Sequence, residues 1–125
     1  MMKKIAAEGC TLELDKGNGV VSITTPASMT VKGDGKGLYR GQLAISISGY
    51  TGGSITVAGS GTGAGVINGS AEKTTIDGLA AVLEGDNVTV TVAGLKPLES
   101  GGTEPTTENV KVTIKDAGQG KVLGE

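Results

Sequence analysis

The side chains that could do chemistry are few, and their types limit what chemistry is open. The chain has no histidine and a single cysteine, Cys10. A Ser–His–Asp or Cys–His nucleophile therefore cannot be assembled, nor a histidine-based zinc site. Cys10 has no activating partner in the sequence and reads as packing. Asp34, Asp77 and Asp86 follow or precede glycine in Gly33-Asp34-Gly35, Asp77-Gly78 and Gly85-Asp86. Aspartate is favoured in such turns because its carboxylate bonds nearby backbone, so Asp34, Gly35, Gly41, Asp77, Gly78, Gly85 and Asp86 are read as structural turn residues and not as a paired-carboxylate site. The glycine run Gly59-Ser60-Gly61-Thr62-Gly63-Ala64-Gly65 has the spacing of a phosphate-cradling loop. It is followed by Val66-Ile67-Asn68-Gly69, with no helix to supply a dipole and no Lys-Ser/Thr pair, so it reads as a flexible turn or tight chain crossing. The Asp-Gly fragments lack the ligand series of a calcium loop. The expectation is no enzyme activity, no cofactor and no bound metal.

What must position these residues is β-structure. Glycine supplies 23 of 125 residues, far above the usual share of about 7%. Phe and Trp are absent, and Tyr39 and Tyr50 are the only aromatics. Aliphatic residues alternate with Ser, Thr or Lys in Leu12–Leu14, Val20–Thr24, Met29–Lys32, Leu43–Ser48, Ser54–Val57, Val88–Val92 and Val110–Lys115. A period of two puts one face of a strand in the core and the other in water. Four residues, Ala80 to Leu83, could turn as helix, which is too short to be stable alone, and they read as strand or bend. Residues 98–108 are polar, contain Pro105 and read as an exposed loop. The expectation is one all-β domain over residues 1–125, built as a small Gly-rich hairpin, sandwich or prism-like body.

An internal echo runs from Asp34 to Tyr50 and from Asp77 to Leu95. Each copy reads Asp-Gly turn, short apolar stretch, glycine turn, alternating strand. The separation drifts from 43 residues between Asp34 and Asp77 to 45 between Tyr50 and Leu95. It is either a chance likeness of Gly-rich segments or a duplicated β-unit.

Composition narrows the partners. The formal charge is −2 with 11 basic and 13 acidic residues dispersed along the chain, and stacking aromatics are nearly absent. Nucleic acid is not an expected partner. No apolar run reaches the roughly 20 residues of a membrane span. The start resembles a lipoprotein leader only superficially: its apolar run is Ile5-Ala6-Ala7, short of about 7–15 residues, and Glu8 precedes Gly9-Cys10. No classical signal peptide is therefore expected.

The segment from Gly65 to Gly94 contains Ile67-Asn68-Gly69 and Ile76-Asp77-Gly78-Leu79-Ala80-Ala81-Val82-Leu83-Glu84-Gly85-Asp86. These phrases resemble the PAAR-like (Pro-Ala-Ala-Arg repeat) spike-tip proteins of contractile phage tails and type VI secretion systems. The likeness covers about a quarter of the chain, with an echo at Asp34 to Gly41. Leu79-Ala80-Ala81-Val82 stands in place of Pro-Ala-Ala-Arg, and the histidine ligands that commonly hold a metal in that family are missing. The resemblance implies a metal-free structural part of a contractile injection system or phage virion, made in the cytoplasm and carried on the particle. Its partner would be an oligomeric spike, tail or capsid protein. The alternating strands equally suit a β-sandwich binding or capsid-decoration module.

Overall fold

A computed structural model describes residues 2–125. Twelve strands follow one another: β1 (Lys3–Lys4), β2 (Thr11–Leu14), β3 (Asn18–Ile23), β4 (Lys32–Gly33), β5 (Lys36–Gly37), β6 (Gln42–Thr51), β7 (Gly61–Asn68), β8 (Thr75–Ile76), β9 (Leu79–Ala80), β10 (Asn87–Pro97), β11 (Thr103–Asp116) and β12 (Leu123–Gly124). The described residues contain no helix, hence none long and apolar enough to cross a membrane. The fold is all-β.

Six strands form one antiparallel sheet in the order β2-β11-β10-β7-β6-β3. The strands at its two ends, β2 and β3, are consecutive in the chain and joined by Asp15–Gly17, so the sheet curls until it nearly closes. Inward positions at every second residue fill the interior. Leu43, Ile45 and Ile47 come from β6, Val90 and Val92 from β10, and Val110, Val112 and Ile114 from β11, each at most 2% exposed. The outward Ser, Thr and Lys of the same strands meet water. This is the alternation of the sequence turned directly into burial.

Three segments depart from the sequence expectation. Residues 98–108 form a loop only at 98–102; β11 already begins at Thr103, and Pro105 pairs opposite Leu95. Ser54–Val57 is not a strand. Gly52 and Ile55 pair in a tight turn that tucks Ile55 fully into the core. Of Met29–Lys32, only Lys32 is in a strand.

The glycine run is not a flexible turn. From Gly61 it is strand β7, and Gly61, Gly63, Gly65 and Ile67 occupy successive positions on one face. A Cβ at Gly61 would lie 2.7 Å from the Tyr50 Cβ and 3.0 Å from a Val92 methyl, and one at Gly63 would lie 3.0 Å from a Val90 methyl. Missing side chains on β7 thus make room for Tyr50 and the β10 valines. Gly61→Val is expected to cost at least about 1–3 kcal/mol through overpacking, read as a lower urea midpoint at unchanged slope.

One end of this curled sheet is closed by chain that is not part of it. Three short extended segments, 5–7, 38–40 and 81–83, pair with one another in a ring: Ile5 with Leu83, Ala7 with Leu38, Arg40 with Ala81. Their central residues bond cyclically. Ala6 N donates to Val82 O (2.8 Å), Val82 N to Tyr39 O (3.1 Å), and Tyr39 N to Ala6 O (2.8 Å). Three strands can close such a triangle only if each crosses the next at an equivalent place, so the ring defines a pseudo-three-fold axis.

Side-chain alternation in the triangle separates two cores. Ala6, Tyr39 and Val82 belong to the core of the large sheet, while Ile5, Ala7, Leu38, Ala81 and Leu83 belong to a second cluster with Ala71, Ile76 and Val122. Three two-residue ladders cover the second cluster: β4–β5, β8–β9 and β1–β12. The duplicated unit of the sequence is therefore two of three. The third ladder is made by the first and last strands, which lie at opposite ends of the chain, and this hides it from a linear search.

Candidate functional site: the three-fold cap

The cap is the most regular surface of the molecule, and it is built from matched residues. In each unit the first residue of the crossing segment donates its amide to the residue just before a ladder strand: Ile5 N to Val122 O before β12, Leu38 N to Val31 O before β4 and Ala81 N to Thr74 O before β8, all at 3.1 Å. Its carbonyl in turn accepts a bond from Ser28 N, from Ala71 N and, in the third unit, from the Gln119 side-chain amide at 2.7 Å. Gln119 is buried, and its Oε1 accepts the amides of Lys121 and Val122. A side chain here supplies what backbone supplies in the other two units. A buried amide can be accommodated because both its ends are bonded.

The turn residues expected from sequence lie at matched points of the cap. Asp34-Gly35 (φ 54° and 76°) and Asp77-Gly78 (φ 54° and 80°) are the left-handed pairs at the tips of β4–β5 and β8–β9, the geometry of two-residue hairpins. Gly41 (φ 69°) and Gly85 (φ 97°) turn the chain from the triangle into β6 and β10. Asp86 is buried, and its carboxylate accepts the amides of Leu83 and Ser70 and the Ser70 hydroxyl, locking the unit's entry to its exit. Gly9 (φ 85°) makes the same turn into β2, a role that sequence reasoning misses. The signal is present nonetheless: Glu8-Gly9-Cys10 mirrors Glu84-Gly85-Asp86.

The cap also carries a chain of acid–base pairs that residue order does not reveal. Each tip residue reaches the next unit. Asp34 accepts Gly120 N and pairs with Lys121 at 3.1 Å; Asp77 accepts the Thr30 hydroxyl and pairs with Arg40 at 3.2 Å; Glu125 pairs with Lys73 at 3.5 Å. Lys121, Thr30 and Lys73 occupy matched positions, so the contacts run in one sense around the axis. The Gly120 amide and Lys121 hold the Asp34 carboxyl below its ordinary range. The hydroxyls of Ser28 and Thr30, with Arg40, do so for Asp77. These acids are engaged in charge and hydrogen-bond contacts between units.

At the opposite end one carboxylate on β11 ties two connections together. Glu108 on β11 bonds Lys16 Nζ at 2.6 Å, in the β2–β3 turn, and Ser54 N and Oγ at 3.1 and 2.9 Å, in the β6–β7 loop. Lys16 and Ser54 lower its pKa from 4.5 to about 2. The group is an ordinary carboxylate when unfolded, so its stabilising effect is complete above about pH 5 and fades as pH falls through 4.5 toward 2. We expect Glu108→Gln to lower Tm by several degrees at pH 7 and to flatten the acid dependence of Tm between about pH 5 and 2, followed by circular dichroism melts. Cys10 is partly buried, and burial pushes its thiol above the ordinary value.

Compared with known proteins, the chain matches no protein-family model, no curated protein and no solved structure at a significant level.

Proposed function

We propose that this chain is a non-enzymatic structural component of a contractile injection system or phage virion, a spike-tip or spike-associated protein that sits on the three-fold axis of a trimeric partner. The observation that carries the reading is the cyclic triangle of Ala6, Tyr39 and Val82 with its three matched ladders. A single chain on a homotrimer's axis must offer each subunit a similar face, and a pseudo-three-fold body does so. Residues that could work as catalysts are spent on turns and inter-unit ties, consistent with action through shape. Of the PAAR-like phrases, Ile67-Asn68-Gly69 lies at the end of β7, and residues 76–86 supply part of β8, β9 and one side of the triangle, so the longer phrase and the geometry bear on the same part of the molecule.

The test is composition and imaging of tail-like particles from cells that express the protein. One copy of this chain per three spike subunits, located on the axis, is expected. Absence from the particles overturns the proposal. Many copies spread over an outer capsid surface also overturn it, in favour of the decoration module.

A further inference from the structure

Two of the four asparagines precede glycine, Asn18-Gly19 and Asn68-Gly69, and the fold sets the two pairs in opposite situations. Gly69 N donates to Gly41 O at 2.8 Å, and a Cβ on Gly69 would lie 2.8 Å from the Ala81 carbonyl oxygen. Its nitrogen is committed, and its backbone is wedged against the cap. Asn18 and Gly19 instead open β3, and both are exposed. β3 is bonded on one side only, to β6, and the register slips between Asn18 and Val20. Thr24 N donates to Ala44 O, so by alternation the amides of Ser22 and Val20 also turn to β6, while those of Val21 and Gly19 turn to the unbonded edge. The other two asparagines precede valine, and their side chains are bonded: Asn87 Nδ2 donates to Gly85 O, and Asn109 Oδ1 accepts the Thr91 hydroxyl.

We propose that Asn18 is a site of spontaneous deamidation, converted in the folded protein to aspartate and isoaspartate through the Gly19 amide. The Gly19 nitrogen loses its proton to hydroxide and attacks Asn18 Cγ; the new C–N bond closes a five-membered succinimide, and ammonia leaves. Water then adds to one of the two imide carbonyls. Cleavage of the new bond gives aspartate. Cleavage of the original peptide bond leaves the chain running through the Asn18 side chain, as isoaspartate. The net change is amide plus water to carboxylic acid plus ammonia. Glycine puts no side chain in the way of the ring, the Gly19 nitrogen has no ladder partner, and the pair sits at a strand end, where local opening costs least. The bond from Gly69 N withholds the same reaction from Asn68. The consequence falls on the core, because Gly17 and Gly19, on either side of Asn18, both pack on Tyr50. Isoaspartate adds one atom to the backbone between them and so shifts that packing, whereas aspartate adds a charge alone.

This inference stands on Asn18 and its surroundings alone and does not require the spike reading; either can fail while the other holds. Asparagine is heat-labile, so the full-length protein is incubated at about 37 °C, at about pH 7 and about pH 9, both folded and in urea, and then digested with trypsin. Cleavage after Lys16 and Lys32 isolates Asn18 as the one asparagine of residues 17–32, and cleavage after Arg40 and Lys73 does the same for Asn68. In the folded protein the peptide 17–32 is expected to gain one dalton, faster at the higher pH, and to split into an aspartyl and an isoaspartyl form. The isoaspartyl form is identified as a substrate for isoaspartyl methyltransferase. Asn18 is expected to react at least about ten-fold faster than Asn68 in the folded protein, with the two rates converging in urea. Aged protein is expected to melt several degrees below fresh protein, and fresh Asn18→Asp, which adds the charge alone, close to fresh wild type. The proposal is overturned if Asn18 stays unchanged in the folded protein, or if Asn68 reacts there as fast as Asn18. Equal melting of aged protein and Asn18→Asp overturns the consequence for the core.

Discussion

Replacing Tyr50 with alanine is expected to destabilise the protein by about 3–5 kcal/mol, the cost of emptying a fully buried aromatic site. For a chain of this size that corresponds to a drop in Tm on the order of 10–20 °C. Tyr50 is the largest fully buried side chain, and glycines are arranged around it. Added Cβ atoms at Gly17, Gly19, Gly52 and Gly61 would all meet it. Four positions without side chains cannot move in to fill the space it leaves, so the cavity term is large. Its hydroxyl donates to the Lys16 carbonyl at 3.1 Å, tying the ring to the β2–β3 turn. Tyr50→Phe keeps the packing and loses that bond alone, so its expected cost is about 1 kcal/mol. Chemical denaturation of both variants measures the difference. Equal costs would mean that the hydroxyl, and not the packing of the ring, dominates.

The second large effect is expected at the triangle. Ala6→Pro removes the amide that donates to Val82 O and so opens one of three cyclic bonds. Proline within a central strand is excluded because the lost donor leaves a buried carbonyl unpaired. Ala6 is fully buried, so water cannot substitute. The expected loss is at least about 3 kcal/mol, and its location is diagnostic. Because the ring separates the two cores, amide exchange is expected to accelerate first in the three ladders over the second cluster, while the β10–β11 pair stays protected longest. Uniform acceleration across the chain would instead show that cap and sheet unfold as one unit.

Much of the architecture is legible in residue order. The valine–threonine alternation of β10 and the lysine–valine alternation of β11 specify one dry face each, and both strands follow it. The Asp-Gly pairs mark tight turns because only residues tolerant of positive φ can occupy them. The extent of β7 is not legible. A glycine carries no hydropathy signal, so the inward face at Gly61, Gly63 and Gly65 cannot be told from a loop. Ile55 and Pro105 depart from expectation for a related reason: burial of the first and pairing of the second depend on strands remote in sequence.

The aspartate and glycine positions thus lie open in the sequence as turn residues, and the absence of histidine by itself rules out Ser–His–Asp, Cys–His and histidine–zinc sites. What only the tertiary structure decides is that these turns belong to three matched units around an axis. Glu125, Lys73 and Lys121 look unrelated along the chain. They join one set of inter-unit ties because the two ends of the polypeptide meet to form the third ladder. Local propensity acts over a few residues, whereas a ring of backbone bonds needs three segments, 5–7, 38–40 and 81–83, that come together only when the chain closes on itself.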